Sequence, residues 1–193
     1  LSPWHCCCIP LSPLYGGNPE ALGWALDSVP RGVTIMGAAV FVSVALLDLA
    51  KRAAGCEPHH AVTAANGGEC HGTVYGMKPS SLLTMIMLLV GILASVMMPL
   101  MGAIVDHTRY RRAVGRVSAV VMSSMILVQI FISEETWFLV ALLQVGVAFF
   151  YCVHSLVVFA YLPELTDDKE TLVRWTASFT IVQYSVMLVF LMG

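Results

Sequence analysis

The chain has 193 residues, of which 58% are hydrophobic and 11% are charged, and its mean hydropathy is +0.82. An average soluble domain has about 25% charged residues, so this composition argues against a water-soluble fold and indicates an integral membrane protein. The formal net charge of -2 argues against a nucleic-acid partner, which would require a basic surface.

The N-terminal segment, residues 1–22, is predicted to be flexible. It holds four prolines and no sustained apolar core, so it resembles neither a signal peptide nor a helix (Pro3, Pro10, Pro13, Pro19). The chain starts at Leu1 rather than Met, and its last apolar run continues to Gly193. We therefore expect a fragment of a longer protein.

Five apolar segments in the membrane domain, residues 23–193, are predicted to be transmembrane helices. They are 32–49, 82–105, 113–132, 137–162 and 176–193, the last cut off by the end of the sequence. A helix rises about 1.5 Å per residue, so such segments can cross a hydrocarbon core of about 30 Å. The first is short and is flanked by charges, which leaves open that it lies along the membrane surface. The predicted fold class is an all-α membrane protein with about five transmembrane helices.

The connection between the first two spans contains two cysteines, Cys56 and Cys70. In an oxidising lumen they could form a disulfide, and free thiols are the simplest alternative. Neighbouring histidines would allow a zinc site instead, but their spacing is not a standard one (His59, His60, His71). We expect a disulfide or free thiols and no metal.

A charged hairpin separates the second and third spans. After Gly102 it contains one carboxylate and three arginines, Asp106, Arg109, Arg111 and Arg112. Excess positive charge marks the cytoplasmic side of a membrane, so we predict that the hairpin and the N-terminus are cytoplasmic. Gly102 would let two helix backbones approach closely, and the arginines would pair with carboxylates or lipid phosphates.

Polar residues recur along one face of the fourth span. Gln144, Tyr151 and Ser155 are separated by helical intervals, and His154 lies beside them. Because polar groups facing lipid are costly, we expect this face to point to the protein interior or to a water-filled cavity. Two interpretations stay open, a lining of the solute pathway and hydrogen bonds between helices. His154 could take part in proton coupling or could simply pack.

Thr180 and Gln183 lie on one face of the fifth span and are further candidates for solute binding. Such side chains suit a solute that forms hydrogen bonds. The sequence shows no pairing of a nucleophile with a base and no phosphate-binding loop, so we expect neither an enzyme nor a cofactor.

Charged residues also flank the first and fifth spans. Asp27 and Arg31 are four residues apart, which predicts an ion pair on a helix surface. Pro163 is expected to end the fourth span, and the acidic residues that follow it, including Asp168, suit the start of a new helix.

The charged hairpin resembles the loop between the second and third helices of the major facilitator superfamily of secondary transporters. The matching positions are Gly102, Asp106, Arg111 and Arg112, while Arg109 stands where that pattern has a second Gly. The resemblance implies the N-terminal part of a twelve-helix bundle, whose C-terminal half would be a missing partner. It also implies that Asp106 engages a helix of that half in the outward-open state.

Within that superfamily the chain resembles the autophagy-related vacuolar effluxers. The resemblance rests on Gly23-Trp24-Ala-Leu26, on the stretch from Pro99 to Arg112, and on Tyr161-Leu162-Pro163-Glu164-Leu165. It implies alternating-access transport of amino acids from the vacuole to the cytoplasm, across a vacuolar or lysosome-like membrane. A transporter of another small polar solute, a sugar or an organic anion, and a non-transporting membrane scaffold are the alternatives.

Overall fold

The computed structural model describes residues 19–56, 72–108 and 110–192. These residues are helical with short connections, which confirms the predicted all-α class. The elements in chain order are α1 (Pro19–Leu26), α2 (Ser28–Thr34), a π-helix (Ile35–Val42), α3 (Ser43–Ala53), a 3₁₀ turn (Pro79–Ser81), α4 (Leu82–His107), α5 (Arg111–Gln129), α6 (Trp137–Leu165) and α7 (Lys169–Met192).

Four helical stretches in the described part of the chain are long and apolar enough to cross a membrane. They are Glu20–Ala53, Pro79–His107, Trp137–Leu165 and Lys169–Met192, and they correspond to four of the five predicted spans. The remaining prediction, 113–132, corresponds to α5, which has 19 residues and carries three arginines in its first two turns. These arginines lower the hydropathy of α5, so its crossing of the membrane stays a prediction.

The first helical stretch begins earlier than predicted. Residues 1–22 were expected to be flexible, but α1 starts at Pro19, and residues 1–18 lie outside the described part. Proline suits the first turn of a helix because the N–H it lacks would have no partner there. The apolar side chains that follow are buried, with Ala21 fully so and Trp24 only 6% exposed. Burial of this face explains why the helix forms outside the predicted span.

The link between α6 and α7 is shorter than predicted. α6 continues through Pro163 to Leu165 instead of ending at the proline. α7 begins at Lys169, because Asp168 caps it as the acidic pattern indicated. One Asp168 carboxylate oxygen accepts hydrogen bonds from the backbone N–H of Thr171, at 3.0 Å, and from the Thr171 hydroxyl. These bonds lower the pKa of Asp168 below its ordinary value.

Contacts divide the described residues into two compact units, and the first contains residues up to Gly37 together with Val158 onward. In this unit α2 packs against α7. A Cβ atom at Gly32 would lie 2.8 Å from the backbone oxygen of Gln183, so the two helices meet at a glycine. The core of the unit combines aromatic and aliphatic side chains (Ala21, Trp24, Ala25, Val158, Leu162, Trp175, Phe179).

The second unit comprises Ala38–Val157. Here α3 packs on α4, and α4 on α5. One apolar cluster joins α3, α4 and α6 (Leu46, Ala50, Leu82, Ile86, Trp137, Val140, Ala141). A second cluster joins the π-helix, α5 and α6 through Ala38, Met122 and Val147. The polar residues described next lie on the same three elements.

Candidate functional site

α6 carries the polar residues predicted from the sequence, and the second unit encloses most of them. Gln144 is 5% exposed and His154 is 8% exposed, although α6 is otherwise an apolar helix of 29 residues. Tyr151 and Ser155 are half-buried. Polar side chains in a helix of this kind therefore face neighbouring protein elements.

The amide of Gln144 joins three elements. Its Nε2 donates a hydrogen bond to the backbone oxygen of Ala38 in the π-helix, at 2.7 Å. Its Oε1 accepts a hydrogen bond from Nε2 of Gln129, at 2.8 Å. Gln129 is the last residue of α5 and is only 3% exposed. Sequence reasoning missed Gln129, and the signal that could have found it is a lone amide within an apolar run.

The π-helix places the Ala38 carbonyl where side chains can reach it. Ser43, five residues later, also directs its hydroxyl to the Ala38 oxygen, at 3.4 Å. In a π-helix the hydrogen-bond register is wider than in an α-helix, and single π turns within longer helices are frequent at functional sites. The combination of a π segment and a buried amide chain marks this part of the second unit as the candidate site.

His154 contacts a second buried polar residue, Ser118 on α5, which is 2% exposed. The Ser118 hydroxyl donates to the backbone oxygen of Gly115 at 2.9 Å and lies 3.4 Å from Nδ1 of His154. A hydroxyl has one proton, so a hydrogen bond between serine and histidine requires Nδ1 to be the donor. The contact therefore favours the tautomer with the proton on Nδ1.

The remaining α6 candidates, Ser155 and Tyr151, make contacts within α6 and with the neighbouring apolar cluster. The Ser155 hydroxyl donates to the backbone oxygen of Tyr151, at 2.7 Å. Tyr151 packs against the apolar cluster that contains Met122 and Val147. The four α6 candidates thus share one helix and one unit, with Gln144 and His154 the most deeply buried.

Thr180 and Gln183 belong to the first unit, and their relation to the α6 residues stays a prediction. Thr180 is exposed, and its hydroxyl donates to the backbone oxygen of Thr176 on the same helix, at 2.9 Å. Gln183 is half-buried, and its backbone oxygen faces Gly32.

The prediction of a surface ion pair between Asp27 and Arg31 was wrong about its location. Arg31 is 4% exposed, and its guanidinium lies 3.9 Å from the Asp27 carboxylate. The guanidinium carbon also lies 5.6 Å from the ring centroids of both Phe159 and Phe179. The flat guanidinium is weakly hydrated and stacks on aromatic faces, which makes this burial possible.

The charged hairpin has a structural role that the sequence did not reveal. Arg111 donates from Nε to the backbone oxygen of Val105 at 3.0 Å, and so satisfies a carbonyl in the last turn of α4. Asp106 and Arg112 are exposed, and Arg109 lies outside the described residues.

The close packing expected at Gly102 is not found. A Cβ atom placed there would meet nothing within 4 Å among the residues that the structure describes.

The predicted cysteine site is only partly described. Cys56 is disulfide-bonded, but Cys70 and the three neighbouring histidines lie outside the described residues. The pairing of Cys56 with Cys70 therefore stays a prediction. Across residues 19–56, 72–108 and 110–192, no group of three potential metal ligands occurs.

These observations define the class of protein: a helical membrane protein with buried amide and imidazole groups inside a spanning helix. The sequence profile described as vacuole effluxer Atg22-like matches residues 17–180, which is most of the chain. The chain belongs to this family, as the resemblance predicted, and the family is one of transporters rather than enzymes. No curated protein and no solved structure gives a significant match.

Proposed function

We propose that this chain is part of a secondary transporter that moves amino acids from the vacuole to the cytoplasm by alternating access. The observation that carries the proposal is the buried chain of two amides, Gln129 and Gln144, in the membrane domain of a vacuole effluxer family member. Amides hydrogen-bond polar solutes but contribute no net charge, which suits zwitterionic amino acids.

The free-energy cost of placing polar side chains inside a membrane supports a functional role for α6. A polar side chain within a membrane is expensive unless it is paired, and such residues commonly mark solute or ion pathways. Gln144 and His154 both sit on α6, which has the largest buried share of the four candidate spans. We propose that Tyr151, His154 and Ser155 of the second unit bind the solute, and we propose the same role for Thr180 and Gln183 of the first unit.

The charged hairpin is the proposed gating element. Asp106 is exposed at the end of α4, where it can engage a helix of the C-terminal half that the superfamily resemblance implies. Arg111 and Arg112 would then hold the hairpin at the cytoplasmic face, since positive charge is retained on that side. We propose this orientation, with the N-terminus in the cytoplasm, and the family points to the membrane of the vacuole or of a lysosome-like organelle.

The test is solute release from vacuolar vesicles that contain the complete open reading frame in which this chain occurs. Vesicles loaded with labelled alanine should release it faster than vesicles that carry the Gln144→Leu variant at the same protein level. Leu142→Ala, a change at a 59% exposed position of α6, is the matched control and should release alanine as the unmodified protein does.

Other outcomes identify the alternatives. Release of a labelled sugar or organic anion, but not of alanine, would mean a transporter of another solute. Release of none of the three would contradict transport and leave a membrane scaffold.

A further inference from the structure

A chain of hydrogen bonds runs from the backbone oxygen of Ala38 through the Gln144 amide to the Gln129 amide. The backbone oxygen at its start determines which atom of each amide is the nitrogen and which is the oxygen. A carbonyl oxygen can only accept, so the Gln144 atom 2.7 Å from the Ala38 oxygen must be the NH₂ group. The Gln144 oxygen therefore faces Gln129, which must present its own NH₂ group at 2.8 Å. Reversing either amide would bring two like groups into contact, so the last free atom of the chain is Oε1 of Gln129.

This terminal oxygen is buried and has no hydrogen-bond partner among the residues that the structure describes. Gln129 as a whole is 97% buried, because only 3% of its surface is exposed. The buried residues of the nearby cluster, Ala38, Met122 and Val147, are apolar, and Tyr151, which packs on that cluster, donates no hydrogen bond to this oxygen. A buried acceptor without a donor is unfavourable, so this atom is suited to a donor that arrives with a ligand.

We infer that Oε1 of Gln129 is a substrate subsite that accepts a hydrogen bond from the protonated amino group of the transported solute. This inference rests on the proposed function and deepens it, because it assigns one atom to one substrate group. An acceptor favours an ammonium group through a charge-assisted hydrogen bond and disfavours a carboxylate, whose oxygens cannot donate. Gln144 acts here as a positioning residue, since it orients Gln129 without itself presenting a free atom.

The test compares two solutes that differ only at the amino group, alanine and N-acetylalanine. Each competes for release of labelled alanine from vesicles that carry the complete open reading frame. The unmodified protein should bind alanine more tightly than N-acetylalanine by about tenfold, the equivalent of one charge-assisted hydrogen bond. Gln129→Leu removes the acceptor and should bring this ratio close to one by weakening alanine alone.

Two further variants keep the inference falsifiable. Gln129→Met removes the acceptor but keeps an unbranched side chain of similar length, so the ratio should again fall close to one. Leu127→Ala, at a 61% exposed position of the same helix, should leave the ratio unchanged. Size-exclusion elution in detergent checks that each variant folds, and if Gln129→Leu does not fold, Gln129→Met decides the question by itself.

The results separate this inference from the proposed function. Alanine release with the same ratio in the unmodified protein and in the folded Gln129→Leu or Gln129→Met variant would overturn the subsite alone. Absence of alanine release from the unmodified protein would overturn both.

Discussion

Replacing Gln144 by leucine should destabilise the membrane domain more than the same change at Gln129. Gln144→Leu removes two hydrogen bonds, one to Gln129 and one to the Ala38 oxygen, and leaves a buried amide without its partner. Hydrogen bonds between membrane helices contribute about 0.6 kcal/mol on average and up to about 1.7 kcal/mol. With the penalty for the unpaired groups, we expect a loss of about 1–3 kcal/mol. Gln129→Leu removes one bond and an unpaired acceptor, so its loss should be about 1 kcal/mol or less.

The assay is reversible unfolding in mixed detergent and dodecyl sulfate micelles, followed by circular dichroism. The double variant should show a coupling energy of about 0.6–1.7 kcal/mol between the two sites, because their hydrogen bond is counted in both single variants. Equal losses of stability in the two single variants, or losses that simply add in the double variant, would refute the arrangement in which Gln144 makes two hydrogen bonds and shares one of them with Gln129.

Three further changes test the packing and electrostatics of the helices. Gly32→Ala should destabilise the protein by about 1–2 kcal/mol, because the new Cβ would lie 2.8 Å from a backbone oxygen of α7. A Cβ at Gly23 would meet nothing within 4 Å, so Gly23→Ala should stabilise the protein by up to about 1 kcal/mol. Melting temperatures that both variants shift in the same direction would contradict this packing. Arg31→Lys keeps the charge but loses the contact of the guanidinium with the rings of Phe159 and Phe179, so a loss of about 1–2 kcal/mol is expected. Unchanged stability to denaturant would argue against the importance of that contact. Asp168→Asn tests the cap of α7: the lowered pKa of the carboxylate means that its contribution is present above its ordinary pKa and is lost as pH falls through the lower folded value. The melting temperatures of the Asn variant and the unmodified protein should therefore differ at pH 7 and converge only when the pH falls below the lowered pKa of the folded carboxyl. A difference that persists below that pKa would count against this cap.

The sequence located the helices well because apolar length is a property of the chain itself. The predicted span 82–105 lies within α4, and 137–162 lies within α6. Boundaries were less accurate where tertiary contacts or caps decide them. α1 begins before the predicted span because its apolar side chains are buried by other helices, and α7 begins early because of the Asp168 cap.

The candidate site could be predicted only in part. Helical spacing identified Gln144 and His154 as facing the interior, but it could not supply their partners, which come from other elements. Gln129 and Ser118 were missed because one amide or hydroxyl in an apolar run gives no periodic signal. Arg31 was placed on the surface because charge spacing along a helix does not reveal which aromatic rings from distant segments will cover it.

The most direct test of the account is whether α6 faces a water-filled pathway that an amino acid can occupy. Tyr151→Cys, in a complete protein lacking its free cysteines, should react with a membrane-impermeant maleimide, and excess alanine should slow the reaction. Leu139→Cys, at a 56% exposed position of α6, should stay unlabelled in the lipid phase. Labelling of Leu139→Cys but not of Tyr151→Cys, or labelling of Tyr151→Cys that alanine does not slow, would contradict a pathway for amino acids along this face.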